Sequence, residues 1–477
     1  METSYVTPNL LAQLVLYLWF PLVISFLFIF PIRKAIIIAY IVGELFIPKS
    51  LVFKLPLIPS YAEDTATSYA LLTGIIILTL TKTIDSRQLK EFKFKSIDIP
   101  IVCVCLSPFF SSLTNGLGLH DAISGVLNVF FTFAISYFLG RIYLGNLGGL
   151  KELCLNIIKG GILYIPLCLY EIKMGPFLHA QLYGYSAHSS GFMQALRMGG
   201  WRPQVFMTHG LVVALWMVSA TMTILWLYQS KTIMKIWYLD IKWLTAIMFF
   251  TFILLKSTGA YIYLVYYLII FIFSRYLKSN IPAWFLVCFL IIFLLGRSTL
   301  ILSEPLVNSY VAKYSSADRN QSYDFRLINE DIMTKHAWEK PIFGWGSHGR
   351  NMIRSKDEYT GEYSGVTVVD SLWIIEFGTN GFFGLISFYS FFILPIILFL
   401  RRFKPREWFN SGLAPVACLS MVLLVFVWDS TANAGIMSIF PLICGSLNGI
   451  LSRKPVVKLS KKSFNNKPSM IRRNRVT

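Results

Sequence analysis

The chain has 477 residues, of which 55% are hydrophobic and only 14% charged, with a mean hydropathy of +0.61. Those values lie far from soluble-domain averages and exclude a water-soluble globular enzyme. The formal net charge of +19 does not point to nucleic acid: nine of the basic residues sit in an acid-free tail after Leu451, and much of the rest in short loops between apolar runs, as the positive-inside rule produces.

Apolar runs of membrane or near-membrane length fall at 10–30, 35–48, 67–84, 97–113, 121–140, 153–171, 205–228, 241–255, 258–274, 281–302, 370–400, 412–428 and 432–451. They predict an all-α polytopic membrane protein with 12–13 transmembrane helices, the first two runs being parted only by the tight link Pro31 to Lys34. The run from Leu10 lacks a basic n-region and a small-residue cleavage site, so it reads as a retained helix and not a signal peptide. All seven cysteines lie in apolar segments without metal-ligand spacing and read as small buried apolar residues. The organisation expected is a helix bundle over 1–302 with an outer loop at 172–204, a large outer loop at 303–369, C-terminal membrane helices over 370–452 and a basic tail at 453–477.

If thirteen runs alternate, Arg33 and Lys34, Arg87 to Lys95, Arg141 to Lys151, Lys231 to Lys242, Arg275 to Lys278, Arg401 to Arg406 and the tail share one side, which is then the cytoplasm. The opposite loops are 49–66, 111–120, 172–204, the turn Lys256 to Gly259, 303–369 and the neighbourhood of Asp429. Two of them break the rule. The first carries Lys173, Arg197 and Arg202, and the second carries Arg319, Arg326 and Arg350 among others. Arginines kept on the translocated side fit an anionic ligand. Carboxylates offset most of the second loop, so any single one of these cations also reads as a solvated surface charge.

The stretch from Asp318 to Gly381 is a polar island where chemistry is expected. Ser322 can cap a helix with Phe325, Ile328, Ile332 and 336–337 as its apolar face and Arg326 on a neighbouring stripe. Pro341 ends it, and Gly344, Gly346 and Gly349 permit a sharp turn and close approach to a ligand. Asp370 suits a helix start. Glu376, nearly two turns on among apolar neighbours, needs a partner such as Arg or a backbone donor. Upstream, Arg202 precedes a helix and His209 is expected about two turns inside it, facing a polar cavity or bonded to a neighbouring helix. Lys256-Ser257-Thr258-Gly259-Ala260 is a turn where small residues allow close packing, or where Ser257, Thr258 and helix-start N–H groups hold a phosphate.

At these residues the sequence resembles the O-antigen ligase and O-antigen polymerase superfamily of bacterial envelope glycosyltransferases. The likeness covers roughly residues 197–400 and rests on Arg202, Ser257 to Ala260, Arg326, Pro341-Ile342-Phe343-Gly344-Trp345-Gly346 and Glu376-Phe377-Gly378-Thr379-Asn380-Gly381, in that order and on one side. The resemblance implies a GT-C-like fold in the bacterial inner membrane, with a large, partly helical periplasmic loop and a cytoplasmic C-terminus. It implies as donor a glycan on undecaprenyl pyrophosphate, with no nucleotide sugar, cofactor or metal. The acceptor is a glycan or lipid A core, and other envelope polysaccharide assembly proteins are partners.

A pyrophosphate leaving group gains charge as the glycosidic bond breaks, so preplaced guanidiniums stabilise the transition state more than the ground state. Arg202 and Arg326 are assigned to that clamp, with Arg319 and Arg350 in reserve. Ser257, Thr258, Glu376, Gly344 and Gly346 are supporting residues. The base that deprotonates the acceptor hydroxyl is ranked Asp370, then His348, then His209. Trp201, Trp345 and Trp373 near these motifs suit stacking on sugar faces.

Ligases of the superfamily carry a His about nine residues before the Glu of Glu-x-Gly. Thr367 stands there in this chain, a departure that favours a polymerase-like member of an exopolysaccharide or O-antigen system. A transporter or flippase of polyisoprenoid-linked glycans, or of another anion, is the competing class, and would show repeated halves with broken helices near midplane. A non-catalytic scaffold is the third reading, which would tolerate alanine at every arginine named.

Overall fold

The computed structural model describes residues 7–55, 58–83, 87–187, 195–303, 317–356, 363–365, 367 and 370–453; for 317–323, 325, 354–356 and 363–365 the description is of the backbone alone. The basic tail from 454 lies outside the described residues.

Every apolar run contains a helix. In chain order these are α1 (Leu10–Ile29), α2 (Ile32–Phe46), α3 (Ala66–Leu80), α4 (Ser96–Thr114), α5 (Gly118–Leu144), α6 (Leu147–Met174), α7 (Gly210–Gln229), α8 (Ile241–Leu254), α9 (Thr258–Leu277) and α10 (Ile281–Ser298). After α11 (Ala317–Ala337), in the long loop, come α12 (Leu372–Arg402), α13 (Ala414–Asp429) and α14 (Ile439–Leu451). Eight of them, α1, α4, α5, α6, α7, α9, α10 and α12, are long and apolar enough to cross a membrane. Of the others α11 is polar, and α2, α3, α8, α13 and α14 are shorter. The 15 residues of α3 rise only about 22 Å at 1.5 Å per residue, against a hydrocarbon core of roughly 30 Å. The protein is an all-α polytopic membrane protein, and among the described residues its strands form four two-stranded hairpins.

The loops sort onto two faces, as alternate crossing demands. On one face the backbone N–H of Lys49 donates to His179, Asn115 donates to the Gly344 carbonyl (2.8 Å), and the N–H of Leu372 donates to the Ser430 carbonyl (3.0 Å). On the other, Lys95 reaches the Ser452 carbonyl (2.7 Å) and Asn280 the Leu400 carbonyl (3.4 Å). Between the faces, α7 and α13 form the centre of the bundle; 83% of the most apolar window of α7 is buried. Five cysteines are buried as the sequence implies, Cys103 is partly covered, and Cys288 is exposed on α10.

α12 is broken at Gly381, whose φ of 64° and ψ of −163° stop the helical ladder. In an unbroken helix Phe382 N–H would donate to Gly378 and Phe383 N–H to Thr379. Here all four groups find partners in the Pro341–Gly346 segment. Phe382 and Phe383 donate to the carbonyls of Pro341 (2.7 Å) and Ile342 (3.1 Å), while the Gly378 and Thr379 carbonyls accept from Trp345 and Gly346 (both 2.9 Å). Gly344, at φ 70°, passes so close that a Cβ there would lie 2.5 Å from the Thr379 carbonyl carbon. The glycines of the Pro-x-x-Gly-x-Gly turn, expected to bring backbone up to a ligand, bring it up to the broken helix. The two motifs are the two sides of one joint.

α11 also differs from expectation. It starts at Ala317, upstream of Ser322, so that residue is not its cap. Ile328 and Ile332 are exposed, whereas Asn329, Glu330, Met333, Thr334 and Ala337 are buried. The cause is Arg297, fully buried in the last turn of α10: its guanidinium pairs with Glu330 (2.8 Å) and Asp331 (2.9 Å) and donates to the Leu302 carbonyl (2.6 Å). A buried guanidinium demands such partners, and that demand, not the apolar stripe, sets which side of α11 faces in. Ser371 donates to the other oxygen of Glu330, tying α11 to the start of α12.

Candidate active site

The outer loop before α7 is shaped to present two arginines. Leu196–Arg197 and Gly200–Trp201 pair as a hairpin whose turn residues, Met198 (φ 48°) and Gly199 (φ 68°), are both left-handed, as the tightest hairpins require. Lys256 Nζ occupies the place that a side chain at 200 would need, so glycine there lets the ammonium lie against the hairpin. Just past it, the buried carboxylate of Glu171, on the last turn of α6, accepts from the N–H groups of Leu178 (2.9 Å), Gln204 (2.7 Å) and Val205 (2.7 Å). Three donors on one carboxylate fix the path of the chain directly after Arg202.

Arg202 is 7% exposed and packs on Gly210 at the first turn of α7. Burial, together with the like charges of Arg197 and Arg326, pulls its pKa down to about 10. At neutral pH it remains a cation, and an arriving anion lowers the cost that burial and repulsion impose. Arg326 reaches this place from α11 and pairs with Asp370 at the start of α12, Nη2 to Oδ2 3.0 Å, with the two side chains 40% and 46% exposed. Lys256 closes the group from the turn before α9; Ser257 is buried there and Thr258 is the first residue of the helix. Arg197, Arg202, Lys256, Arg326 and Asp370, from four segments far apart in sequence, form one charged site on the same face.

The remaining candidates fall elsewhere or play other parts. His348, at φ 63°, and Arg350 line an open groove of about 630 Å³ with Asn115 and Trp345, and Arg350 pairs with Asp121 (3.4 Å). That groove does not include Arg202, Arg326 or Asp370. The side chain of Arg319 lies outside the described residues. His209 is not two turns inside a helix: α7 begins at Gly210, and His209 is its N-cap, with Nδ1 accepting from the Leu211 N–H (3.1 Å). Among the described residues the partner of Glu376 is neither an arginine nor a backbone donor but Asn380, whose amide donates to it (2.9 Å).

Trp373 and Trp345 are engaged within the protein. Trp373 is fully buried with the Arg297 guanidinium 5.8 Å from its ring, and Trp345 stacks on His336 (4.4 Å) with the Lys340 ammonium 4.2 Å from its centroid. Thr367, at the place of the ligase histidine, is buried against Met333 (Oγ1 to Sδ 3.2 Å).

Residues 243–389 match the protein-family model described as O-Antigen ligase. Over this segment, about a third of the chain, the sequence is similar to the O-antigen ligase family. Domains of that family belong to glycosyltransferase-like membrane enzymes that act on lipid-linked glycan and acceptor polysaccharide. The matched segment runs from α8 into α12 and holds the turn at Lys256, the Arg297 lock, Arg326, Asp370 and both halves of the glycine joint. Arg202 lies before it and enters the site only through the fold. No curated protein matches the chain.

Sequence reasoning missed Arg297 and Glu171. Arg297 left a signal, a single arginine inside the apolar run 281–302, where an ionisable residue needs a partner. Glu171 left a weaker one, as it sits near the end of its run beside Lys173.

Proposed function

We propose that this protein transfers a glycan from undecaprenyl pyrophosphate to an acceptor sugar hydroxyl on the periplasmic face of the inner membrane, with its C-terminus in the cytoplasm. The observation that carries the reading is the meeting of Arg197, Arg202 and Arg326, with Lys256 against the same hairpin and Asp370 paired to Arg326. A diphosphate offers several anionic oxygens to such forks, and guanidiniums match them bidentately.

The acceptor oxygen attacks the anomeric carbon from the face opposite the pyrophosphate, so the configuration inverts and no metal takes part. The new C–O bond forms as the bond to the pyrophosphate oxygen breaks, the electron pair leaves with the pyrophosphate, and the acceptor proton passes to Asp370. In the donor-free state Asp370 is tied to Arg326. The arriving pyrophosphate, with more charge than a carboxylate, takes Arg326 over and leaves Asp370 free to act as base. Thr367 in place of the ligase histidine favours a polymerase-like reaction.

The test is glycan transfer by purified protein in nanodiscs with lipid-linked glycan as donor. Arg202→Ala and Arg326→Ala are each expected to lower transfer more than about tenfold, roughly 1.4 kcal/mol of transition-state stabilisation, with the fold intact. Asp370→Asn is expected to lower turnover while donor binding holds. Wild-type transfer by both arginine variants would end the clamp reading.

A further inference from the structure

The same face holds a second cavity, of about 470 Å³, within the roughly 300–1,000 Å³ of ligand pockets. Its polar walls come from the end of α2 and the loops that follow (Glu44, Lys49, Glu63, Asp64) and from α5 (Asn128, Thr132). Thr208 and Val212, from the segment that carries Arg202, complete it together with the loop before α14.

Its chemistry is opposite to that of the guanidinium site. Three carboxylates against one ammonium make it net anionic, which repels a diphosphate, while hydroxyls and an amide alternate with the acids. The walls are fixed. Glu44 pairs with the Lys49 ammonium (3.3 Å) and accepts from the Ser438 N–H (3.2 Å), and Glu63 accepts from the Ser50 N–H (3.1 Å). Lys49 is held in turn by the ring of His179, which accepts its N–H (3.2 Å). Asp64 is exposed, with Oδ2 3.5 Å from Thr132 Oγ1. Among the described residues no His, Cys, Asp or Glu group is arranged to hold a metal ion, so the acids do not read as a cation site. Fixed acceptors interleaved with hydroxyl and amide donors are what a polyol with adjacent hydroxyls engages.

Resting on the glycosyltransferase reading above, we propose that this cavity binds the acceptor glycan, a hydroxyl-rich oligosaccharide without phosphate. The segment 202–212 is a shared wall: Arg202 packs on Gly210, and Thr208 and Val212 line the cavity. An acceptor held there lies beside the place where the donor sugar leaves its pyrophosphate, and charge sorts the two ligands into their own compartments.

Two binding measurements on the full chain in nanodiscs test this. The probes are undecaprenyl pyrophosphate without sugar, and the oligosaccharide freed from its lipid carrier by mild acid. In the double variant Glu63→Gln/Asp64→Asn, and in Thr132→Trp, which fills the cavity, the dissociation constant of the oligosaccharide is expected to rise about tenfold or more. That of undecaprenyl pyrophosphate should stay within about twofold. The proposal is overturned if the oligosaccharide fails to bind wild type, if it binds both variants as well as wild type, or if both ligands weaken in parallel in both variants. Failure of the underlying reading looks different: undecaprenyl pyrophosphate would then bind Arg326→Ala as tightly as wild type, whatever the oligosaccharide does.

Discussion

Residues 297–381 and residues 171–209 contribute to one site but are built in opposite ways. In the first region charge is already neutralised, Arg297 by Glu330 and Asp331 and Arg326 by Asp370, and the backbone is locked by the joint at Gly381. In the second, guanidiniums crowd each other, and a single buried carboxylate, Glu171, holds the loop that carries them. The first region supplies a rigid frame and the second an electrostatic demand. A clamp for a charged leaving group needs both, because preorganised charge works only where it cannot relax away.

Breaking the frame should have the largest effect. Arg297→Ala leaves the buried Glu330 and the partly buried Asp331 without their cation, a change that costs about 3–5 kcal/mol. Hydrogen exchange across 326–337 is expected to rise steeply and transfer to collapse; unchanged protection of α11 would mean that apolar packing alone holds it. A smaller loss is expected from Glu171→Gln, which keeps the shape but weakens three charge-assisted bonds, each worth about 1.5–3 kcal/mol when intact. Donor affinity should fall several-fold while α11 stays protected, and equal loss of α11 protection would show that the two regions are not independent.

The smallest effect concerns the wall of the acidic cavity. Burial lowers the pKa of His179 below its ordinary 6.5, the nearby Lys49 charge adding to the shift. Its neutral ring bridges the Lys49 N–H and the Tyr185 carbonyl. The unfolded chain binds the proton more readily, so this contribution is complete above about pH 6.5 and is lost as pH falls toward the folded value. Exchange of the amides at 45–50 should therefore quicken on acidification in wild type, and His179→Gln should remove that dependence.

What was legible in the sequence follows from the range of each signal. A hydrophobic run is local, and all thirteen became helices, with starts displaced by a few residues where capping groups such as Asn146 and His209 set the first turn. The inward face of α11 was misread because it is chosen by Arg297 on another helix. The Pro-x-x-Gly-x-Gly turn read as a ligand loop because nothing local announces that α12 breaks at Gly381 and needs backbone partners. Arg202, Arg326 and Asp370 could be named singly, but no spacing rule places a hairpin residue beside α11. The acidic cavity left no trace at all, since its walls come from several separate stretches.

The central claim is that guanidiniums from both regions hold one diphosphate in competition with Asp370. The affinity of undecaprenyl pyrophosphate for wild type, Arg202→Ala, Arg326→Ala and Asp370→Asn tests it most directly. The expected order is Asp370→Asn at least as tight as wild type, with each arginine variant weaker by about tenfold or more. Equal affinity in all four proteins, or weaker binding by Asp370→Asn than by the arginine variants, would contradict it.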